Sequence, residues 1–240
     1  MVGRASALLS PRGAAFVALA AILVAYYALV GHLWSMALWP DIVWLALVLM
    51  PAMFGLVGLA LPAWNARGLL LTAAVCGGLV ALFQHEGVPI AANFLKLAAM
   101  TLFAWWFLGF FEALGWIVLV ACIIPFVDAY SVWKGPTHHI VTNEQGLFST
   151  LSVAFPVPGG HGAAQLGLPD LLFFALFLAA SVRFGLRPFW TWLGGTLSFG
   201  ATMALAIGFH VRGLPALPLL SVAFLGVNAD LIRRQLRRRA

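Results

Sequence analysis

The sequence predicts an all-α polytopic membrane protein of about eight transmembrane helices, and three observations lead to this fold class. Hydrophobic residues make up 63% of the 240 residues and charged residues only 8%. Long apolar runs recur along the chain, and the mean hydropathy is +1.03. Basic residues are gathered in short segments between those runs and at the C-terminus. A soluble domain carries about a quarter charged residues, so the composition excludes that class.

The apolar runs place the predicted helices. A helix needs about 20 apolar residues to cross a hydrocarbon layer of about 30 Å. Eight runs qualify, at residues 14–34, 41–64, 68–84, 88–111, 112–133, 168–182, 188–210 and 214–232. Pro51 predicts a kink in the second helix. Lys96 interrupts the fourth, and we expect it to point into the bundle or to reach the interface. Arg4 and Arg12 precede the first run, which we expect to be a retained helix because no convincing cleavage site follows it.

The positive charges predict an orientation. If the N-terminus is cytoplasmic, ten of the thirteen basic residues lie on the cytoplasmic side: Arg4, Arg12, Arg67, Arg183, Arg187, Arg233, Arg234, Arg237, Arg238 and Arg239. Lys134 and Arg212 then lie outside, and Lys96 lies within the membrane. Positive charge favours cytoplasmic loops, so we expect both termini in the cytoplasm. The net charge of +6 therefore reflects topology and does not indicate a nucleic-acid partner.

We expect one integral membrane domain in two parts, residues 1–111 and residues 112–240. The second part contains the only long polar segment, residues 134–167, which this orientation places outside the cytoplasm. Within it, residues 147–157 are rich in β-forming side chains and predict one short strand. Such a strand at a membrane rim would have an unpaired edge.

Two acids flank that polar segment. Asp128 lies inside an apolar run, and Asp170 lies in the first turn of the next predicted helix. A carboxylate in hydrocarbon is costly and is by default a functional candidate. Pro125 can open the helix near Asp128, whereas Pro169 before Asp170 also fits an ordinary helix start. Both acids lie near one membrane face, as a dyad with one ionised and one protonated carboxyl group would require.

A third element opens the eighth predicted helix. Pro215 and Pro218 are three residues apart, which prevents regular helix there and leaves backbone groups unpaired. At membrane depth such backbone persists only when it is buried in protein or lies beside water. An ordinary helix start is the alternative interpretation.

Together these elements resemble the presenilin and signal peptide peptidase family of intramembrane aspartyl proteases, and in particular its prokaryotic presenilin-like members. That family carries Tyr-Asp in one helix, Gly-x-Gly-Asp in the next and Pro-Ala-Leu at the start of the last. The counterparts are Val127-Asp128, the segment 167–170 and Pro215-Ala216-Leu217. The string DAYSVWKGPTHHIV after Asp128 is also similar, and the resemblance covers residues 115–231. The chain departs from the pattern by having Val127 for the tyrosine, Pro169 for the second glycine, and eight helices where nine are usual.

The resemblance implies an intramembrane-cleaving aspartic protease, with Asp128 and Asp170 catalytic. It implies that Gly167, Pro215, Ala216 and Leu217 bind substrate, and that the strand from Leu151 to Phe155 captures it by strand addition. Substrates would be single transmembrane helices, such as leftover signal peptides or membrane stubs. The location would be a prokaryotic plasma membrane, with the orientation of signal peptide peptidase.

No cofactor or metal is expected. His138, His139 and His161 fall in the polar segment, but their spacing is more typical of solvated loop residues than of a metal site. Two other functions stay open. A proton- or ion-coupled transporter would use intramembrane acids and broken helices equally well, although we find no related halves in the sequence. The second open function is that of an inactive relative that only binds membrane helices. Val127 and Pro169, which depart from the family pattern, suggest it. The oligomeric state and the substrate's identity are open.

Overall fold

The computed structural model describes residues 10–134, 150–160, 162–209 and 214–237. Within these residues the chain forms eight helices and one β-hairpin, in the order α1 to α5, β1, β2, then α6 to α8. The helices are α1 Pro11–His32, α2 Leu38–Ala63, α3 Leu69–His85, α4 Pro89–Phe110, α5 Leu114–Lys134, α6 Leu168–Arg183, α7 Pro188–Gly208 and α8 Leu217–Arg237. The strands are β1 Ser152–Pro156 and β2 Ala163–Gly167.

Each predicted apolar run coincides with one helix, but four of the helices have both the length and the hydropathy of a membrane span: α1, α2, α4 and α5. The helices α3 and α6 have 17 and 16 residues, which is short of the length that a span needs. Large apolar side chains cover the outer surface, with Ile22 65%, Leu71 72% and Phe126 78% exposed. Such a surface is typical of a protein embedded in lipid. The chain is therefore a helical membrane protein.

The second helix contains the irregularity that its proline predicts. A π turn, Leu45–Leu49, separates the α-helical pieces Leu38–Trp44 and Met50–Ala60. Pro51 has no N–H, so the carbonyl of Leu47 lacks its usual donor one turn later. The distortion lies just before the proline rather than at it.

Helix α6 is the centre of the bundle. Nine of its sixteen residues are buried, among them Phe174 and Phe177. The Phe174 ring lies 4.3 Å from that of Phe54 on α2, and the Phe177 ring stacks on Phe224 of α8 at 4.6 Å. Helix α7 approaches closely through glycine: a Cβ at Gly195 would lie 2.9 Å from Cε2 of Phe174. Apolar residues all round α6 explain this position, because such a helix is stable only when every side is covered.

Helix α5 is packed much less closely. Of its 21 residues only Leu114, Ile117 and Ala121 are buried. Their spacing of three and four residues forms a narrow stripe along the first half of the helix, which packs mainly against α8. The second half, which carries Asp128, has no buried residue. Asp128 therefore lies on the half of the helix that has no buried residue.

The hairpin replaces the single predicted strand. Strand β1 is shorter than residues 147–157, and it pairs antiparallel with β2 in a register that places Ser152 opposite Gly167 and Phe155 opposite Ala164. The sequence interpretation missed β2, because its residues AAQLG include no β-branched or aromatic side chain. The hairpin continues into α6 without a linker, and the Leu168 N–H donates to the Leu151 carbonyl at 3.0 Å.

Candidate active site

Asp128 meets the first residues of α8. Its Oδ2 accepts a hydrogen bond from the backbone N–H of Leu217 at 3.0 Å, and the N–H of Ala216 also contributes. Helix N-termini bind anions because their first N–H groups have no partner within the helix and carry the positive end of the helix dipole. Pro215 and Pro218 have no N–H, so Ala216 and Leu217 are the donors that this helix start can offer. The carboxylate of Asp128 is thereby held by α8.

The structure shows a contact of this helix start that the sequence prediction did not include, and substrate binding there stays a prediction. The prediction was that Pro215, Ala216 and Leu217 leave backbone groups free to bind substrate. Instead the Leu217 N–H is occupied by Asp128, and all three residues are buried. The side chain of Leu217 is only 2% exposed and belongs to the main core. The segment therefore positions a carboxylate, and α8 begins at Leu217 rather than at residue 214.

Asp170 is the third residue of α6. The helix is capped by Gly167, whose backbone is extended, and Pro169 occupies the second position, where its missing N–H costs nothing. The Asp170 carboxylate turns back towards the N–H of Gly167, as acidic side chains at the third position of a helix commonly do. Its Oδ2 would lie 3.2 Å from a Cβ at Gly167. A glycine therefore leaves the space that this carboxylate uses.

The two acids lie close enough for their charges to interact directly. Both acids are half-buried. Asp128 belongs to α5 and Asp170 to α6, and the start of α8 contacts Asp128. Three elements that are far apart in sequence thus meet at one place: Asp128, the segment 167–170 and the segment 215–217. Backbone donors hold both carboxylates, with Leu217 on Asp128 and Gly167 on Asp170.

The residues that differ from the family pattern are not in the core of this site. Val127 is 53% exposed and Tyr130, two residues beyond Asp128, is 66% exposed. Neither side chain has a hydrogen bond among the residues that the structure describes. Pro169 fits the α6 start without strain. Neither departure removes a carboxylate or one of the backbone donors that hold the pair.

Four polar side chains cover the outer edge of β1, and we call them the β1-edge cluster: Tyr26 and Tyr27 of α1, and Asn93 and Lys96 of α4. Asn93 bonds both backbone groups of Ala154, its Oδ1 accepting from the N–H at 2.8 Å and its Nδ2 donating to the carbonyl at 2.9 Å. Tyr27 donates to the same carbonyl at 2.7 Å. The other members complete the edge, Lys96 donating to the Ser152 carbonyl at 2.9 Å and Tyr26 to the Pro156 carbonyl at 2.8 Å.

This cluster overturns one prediction and refines another. The strand from Leu151 to Phe155 was expected to capture substrate, but its outer edge is already hydrogen-bonded by side chains. Leu151 itself is 47% exposed, and its carbonyl is used by Leu168 at the start of α6. Lys96 was expected to point into the bundle or to reach the interface, and it points inward, 6% exposed. Sequence reasoning missed Asn93 and the two tyrosines. The available signal was their polarity within otherwise apolar runs.

The outer edge of β2 differs from that of β1. In the observed register, Ala163, Gln165 and Gly167 direct their backbone N–H and C=O groups away from β1. Among the residues that the structure describes, no backbone group pairs with this edge. The strand ends at Gly167, three residues before Asp170. An extended chain added to β2 would therefore run past the acid pair.

The other polar residues named from the sequence do not join this site. Asp230 forms a bidentate salt bridge with Arg187, with N–O distances of 2.7 and 2.9 Å. It lies towards the far ends of α6 and α8. Within the described ranges, no three histidine, cysteine or acidic residues cluster as metal ligands would. His138, His139 and His161 lie outside those ranges. The cysteines Cys76 and Cys122 are both free.

Comparison with known proteins adds no relative. No protein-family model matches the chain, and no curated protein matches it significantly.

Proposed function

We propose that the chain is an intramembrane aspartyl endopeptidase that uses Asp128 and Asp170 as one dyad. The observation that carries the proposal is that these two carboxyl groups, on separate helices, lie near enough for the charge of one to act on the other, with the start of α8 bonded to Asp128. Aspartyl proteases need two carboxyl groups that share one proton, because two like charges at this separation cannot both ionise easily. Each carboxyl group has two oxygens, so the backbone donors that hold the pair leave oxygen lone pairs for water and substrate.

The reaction follows from that arrangement. The ionised carboxyl group takes a proton from water, and the water oxygen attacks the carbon of the scissile peptide bond. The protonated carboxyl group donates to the carbonyl oxygen, which gives a tetrahedral intermediate. Its collapse breaks the C–N bond. The leaving nitrogen takes the proton held by the first acid, and the second acid, now ionised, takes a proton back from a hydroxyl of the intermediate as the carbonyl re-forms. Because the pair titrates as a unit, no fixed role is assigned to either acid.

The substrate in this proposal is a single transmembrane helix, such as a leftover signal peptide or a membrane stub. A helical peptide bond is shielded by its own hydrogen bonds, so the substrate must unwind locally before it is cut. No described backbone group pairs with the outer edge of β2, so the N–H and C=O of Gln165 offer partners for the unwound segment. Since β2 leads directly to Asp170, the extended segment would present a peptide bond to the dyad.

The orientation is part of the proposal. All eight helices would cross the membrane, with both termini in the cytoplasm and the hairpin on the outer side of a prokaryotic plasma membrane. The support is the distribution of basic residues, ten of thirteen on one side. The short helices α3 and α6 can cross where the bilayer thins or where neighbours surround them.

A cleavage assay tests the dyad. Full-length protein in liposomes is given a reporter with one signal-peptide-like transmembrane helix. We expect Asp128→Asn and Asp170→Asn each to lower the rate about a thousandfold or more, and the double variant to be no slower, because the two groups act as a unit. Asp230→Asn is the control, since it removes a carboxylate remote from the site. Substantial cleavage by Asp170→Asn would contradict the mechanism. Proton-coupled uptake of a solute that needs both acids, without cleavage, would favour the transporter.

Thiol labelling tests the orientation. In a background with Cys76→Ala and Cys122→Ala, a cysteine at position 146 should react with an impermeant reagent added to intact cells. A cysteine at position 240 should react only after permeabilisation. The reverse pattern would place the hairpin in the cytoplasm.

A further inference from the structure

The last turns of α8 carry three arginines that have no counter-charge. Arg233, Arg234 and Arg237 are exposed, and among the residues that the structure describes none of them has a hydrogen bond or an ion pair. The nearest acid in the sequence, Asp230, is already bidentate to Arg187. Like charges one turn apart destabilise a helix, and the negative end of the helix dipole offsets only part of that cost. This end of α8 therefore has the charge of a surface that binds an anion.

These arginines lie at the level where several helices begin or end. Gln235, between them in the sequence, donates to the carbonyl of Phe184, just after α6, at 2.8 Å. A Cβ at Gly115, the second residue of α5, would lie 3.8 Å from Cδ2 of Leu236. Exposed aromatic side chains occur at the neighbouring helix ends, namely Phe110 of α4, Trp116 of α5, and Phe189 and Trp190 of α7. Tryptophan in particular gathers where the polar and apolar parts of lipids meet, which indicates that the arginines lie at the depth of phospholipid headgroups.

One face of α8 leads from two of these arginines towards the middle of the helix. Val222, Gly226, Ala229, Arg233 and Arg237 follow one another at intervals of three or four residues, and all are exposed. The opposite face of the helix packs against α6, so this face is directed away from the bundle. Nothing lies within 4 Å of a Cβ at Gly226. Small residues at positions 226 and 229 therefore leave a shallow, open apolar strip beside the charges.

We propose that this face of α8 binds one anionic phospholipid of the bilayer, with its phosphate at Arg233 and Arg237 and an acyl chain along Gly226. Guanidinium groups bind phosphate oxygens through paired, charge-assisted hydrogen bonds. A zwitterionic phospholipid carries its own positive charge, so two arginines without a counter-ion favour a lipid whose net charge is negative. The site does not depend on the acid pair, because α8 contacts Asp128 at its opposite end.

Lipid retention by the full-length protein tests the proposal. The protein is purified in a neutral detergent and mixed with phosphatidylglycerol or with phosphatidylcholine of the same acyl chains. Native mass spectrometry then measures how much of each lipid stays bound. We expect one phosphatidylglycerol per chain, bound about 25-fold more tightly than phosphatidylcholine, because each arginine near an anionic lipid contributes a factor of about five.

Variants locate the site. Arg233→Gln combined with Arg237→Gln should remove most of the preference for phosphatidylglycerol. The matched control is Arg12→Gln combined with Arg67→Gln, which removes the same charge from exposed positions on the same membrane side in the proposed orientation. Gly226→Phe should weaken retention without changing the charge, since its side chain has open space to enter and would cover the strip. The thermal midpoint of each variant confirms that it is folded.

Three results would overturn the proposal. The first is equal retention of the two lipids by the unaltered protein. The second is a control variant that loses as much of the preference as the variant at Arg233 and Arg237, because the effect would then be that of overall charge. The third is displacement of phosphatidylglycerol by a short oligonucleotide at equal concentration, which would assign the arginines to a soluble polyanion.

Discussion

The two strands of the hairpin have similar lengths and share one ladder, yet their outer edges are in opposite states. The outer edge of β1 is bonded by the β1-edge cluster from α1 and α4. No described backbone group pairs with the outer edge of β2, where the Gly167 N–H at the end of the strand meets the Asp170 carboxylate. Unpaired edges invite pairing with another chain, and proteins usually cover them. Here the outer edge of β1 is covered by side chains from two membrane helices, α1 and α4. The difference teaches that the hairpin is fixed from one side and is available from the other.

This difference also corrects the predicted route of substrate. Strand addition was expected at β1, but a strand there would have to displace four side-chain donors and acceptors. Addition at β2 displaces none of the described residues and follows the chain directly into Asp170. The following changes are ordered from the largest expected effect to the smallest.

Asn93→Leu should have the largest effect on stability. The change removes the hydrogen bonds that Asn93 makes to the N–H and C=O of Ala154. The site is buried, since Asn93 is only 6% exposed. A buried backbone group that loses its hydrogen-bond partner costs about 1 to 3 kcal/mol, and the Ala154 carbonyl costs less because Tyr27 still donates to it. We therefore expect the free energy of unfolding to fall by about 2 to 4 kcal/mol. The free energy of unfolding in detergent measures it. Gln84→Leu is the control, since Gln84 lines a pocket together with Asn93 but has no bond to β1 among the described residues. Equal stability of the two variants would mean that the β1-edge cluster does not hold the hairpin.

Gln165→Pro should separate activity from stability. The Gln165 N–H points outward, so proline removes no bond of the ladder, and edge strands tolerate proline there. If substrate pairs with β2, the loss of that donor should lower the cleavage rate about tenfold, equivalent to about 1.4 kcal/mol. Gln165→Ala keeps the N–H and loses the side-chain contact with Ser152, so it isolates the backbone effect. Full activity of the proline variant, with the hairpin intact, would remove β2 as the docking edge.

Tyr26→Phe should have the smallest effect. Its hydroxyl donates to Pro156 at the far end of β1 and accepts from the Trp44 indole at 3.2 Å. We expect a stability loss of about 0.5 to 1.5 kcal/mol and no change in the cleavage rate, because β2 and the acid pair are untouched. Thermal unfolding and the reporter assay measure both. A large fall in cleavage at unchanged stability would mean that the covered edge takes part in catalysis after all.

The sequence by itself determined the helical membrane class, the positions of the eight helices and the candidacy of Asp128, Asp170, Gly167 and the segment 215–217. These follow from local physics: apolar run lengths match a bilayer, prolines interrupt helices, and a carboxylate in an apolar run is costly wherever it lies. None of them depends on which helices are neighbours. Even the helix ends were predictable within a few residues, because caps and prolines act locally.

Only the tertiary structure decided what those residues touch. The bond from the Leu217 N–H to Asp128 joins positions 89 residues apart, and the bonds between Asn93 and Ala154 join positions 61 apart. Such pairs leave no periodicity in the sequence, because the partner is a backbone group that every residue possesses. The same reason explains why β2 was missed and why β1 was assigned a free edge. Strand edges and helix starts are paired or unpaired by what packs beside them, and that packing is a property of the whole bundle.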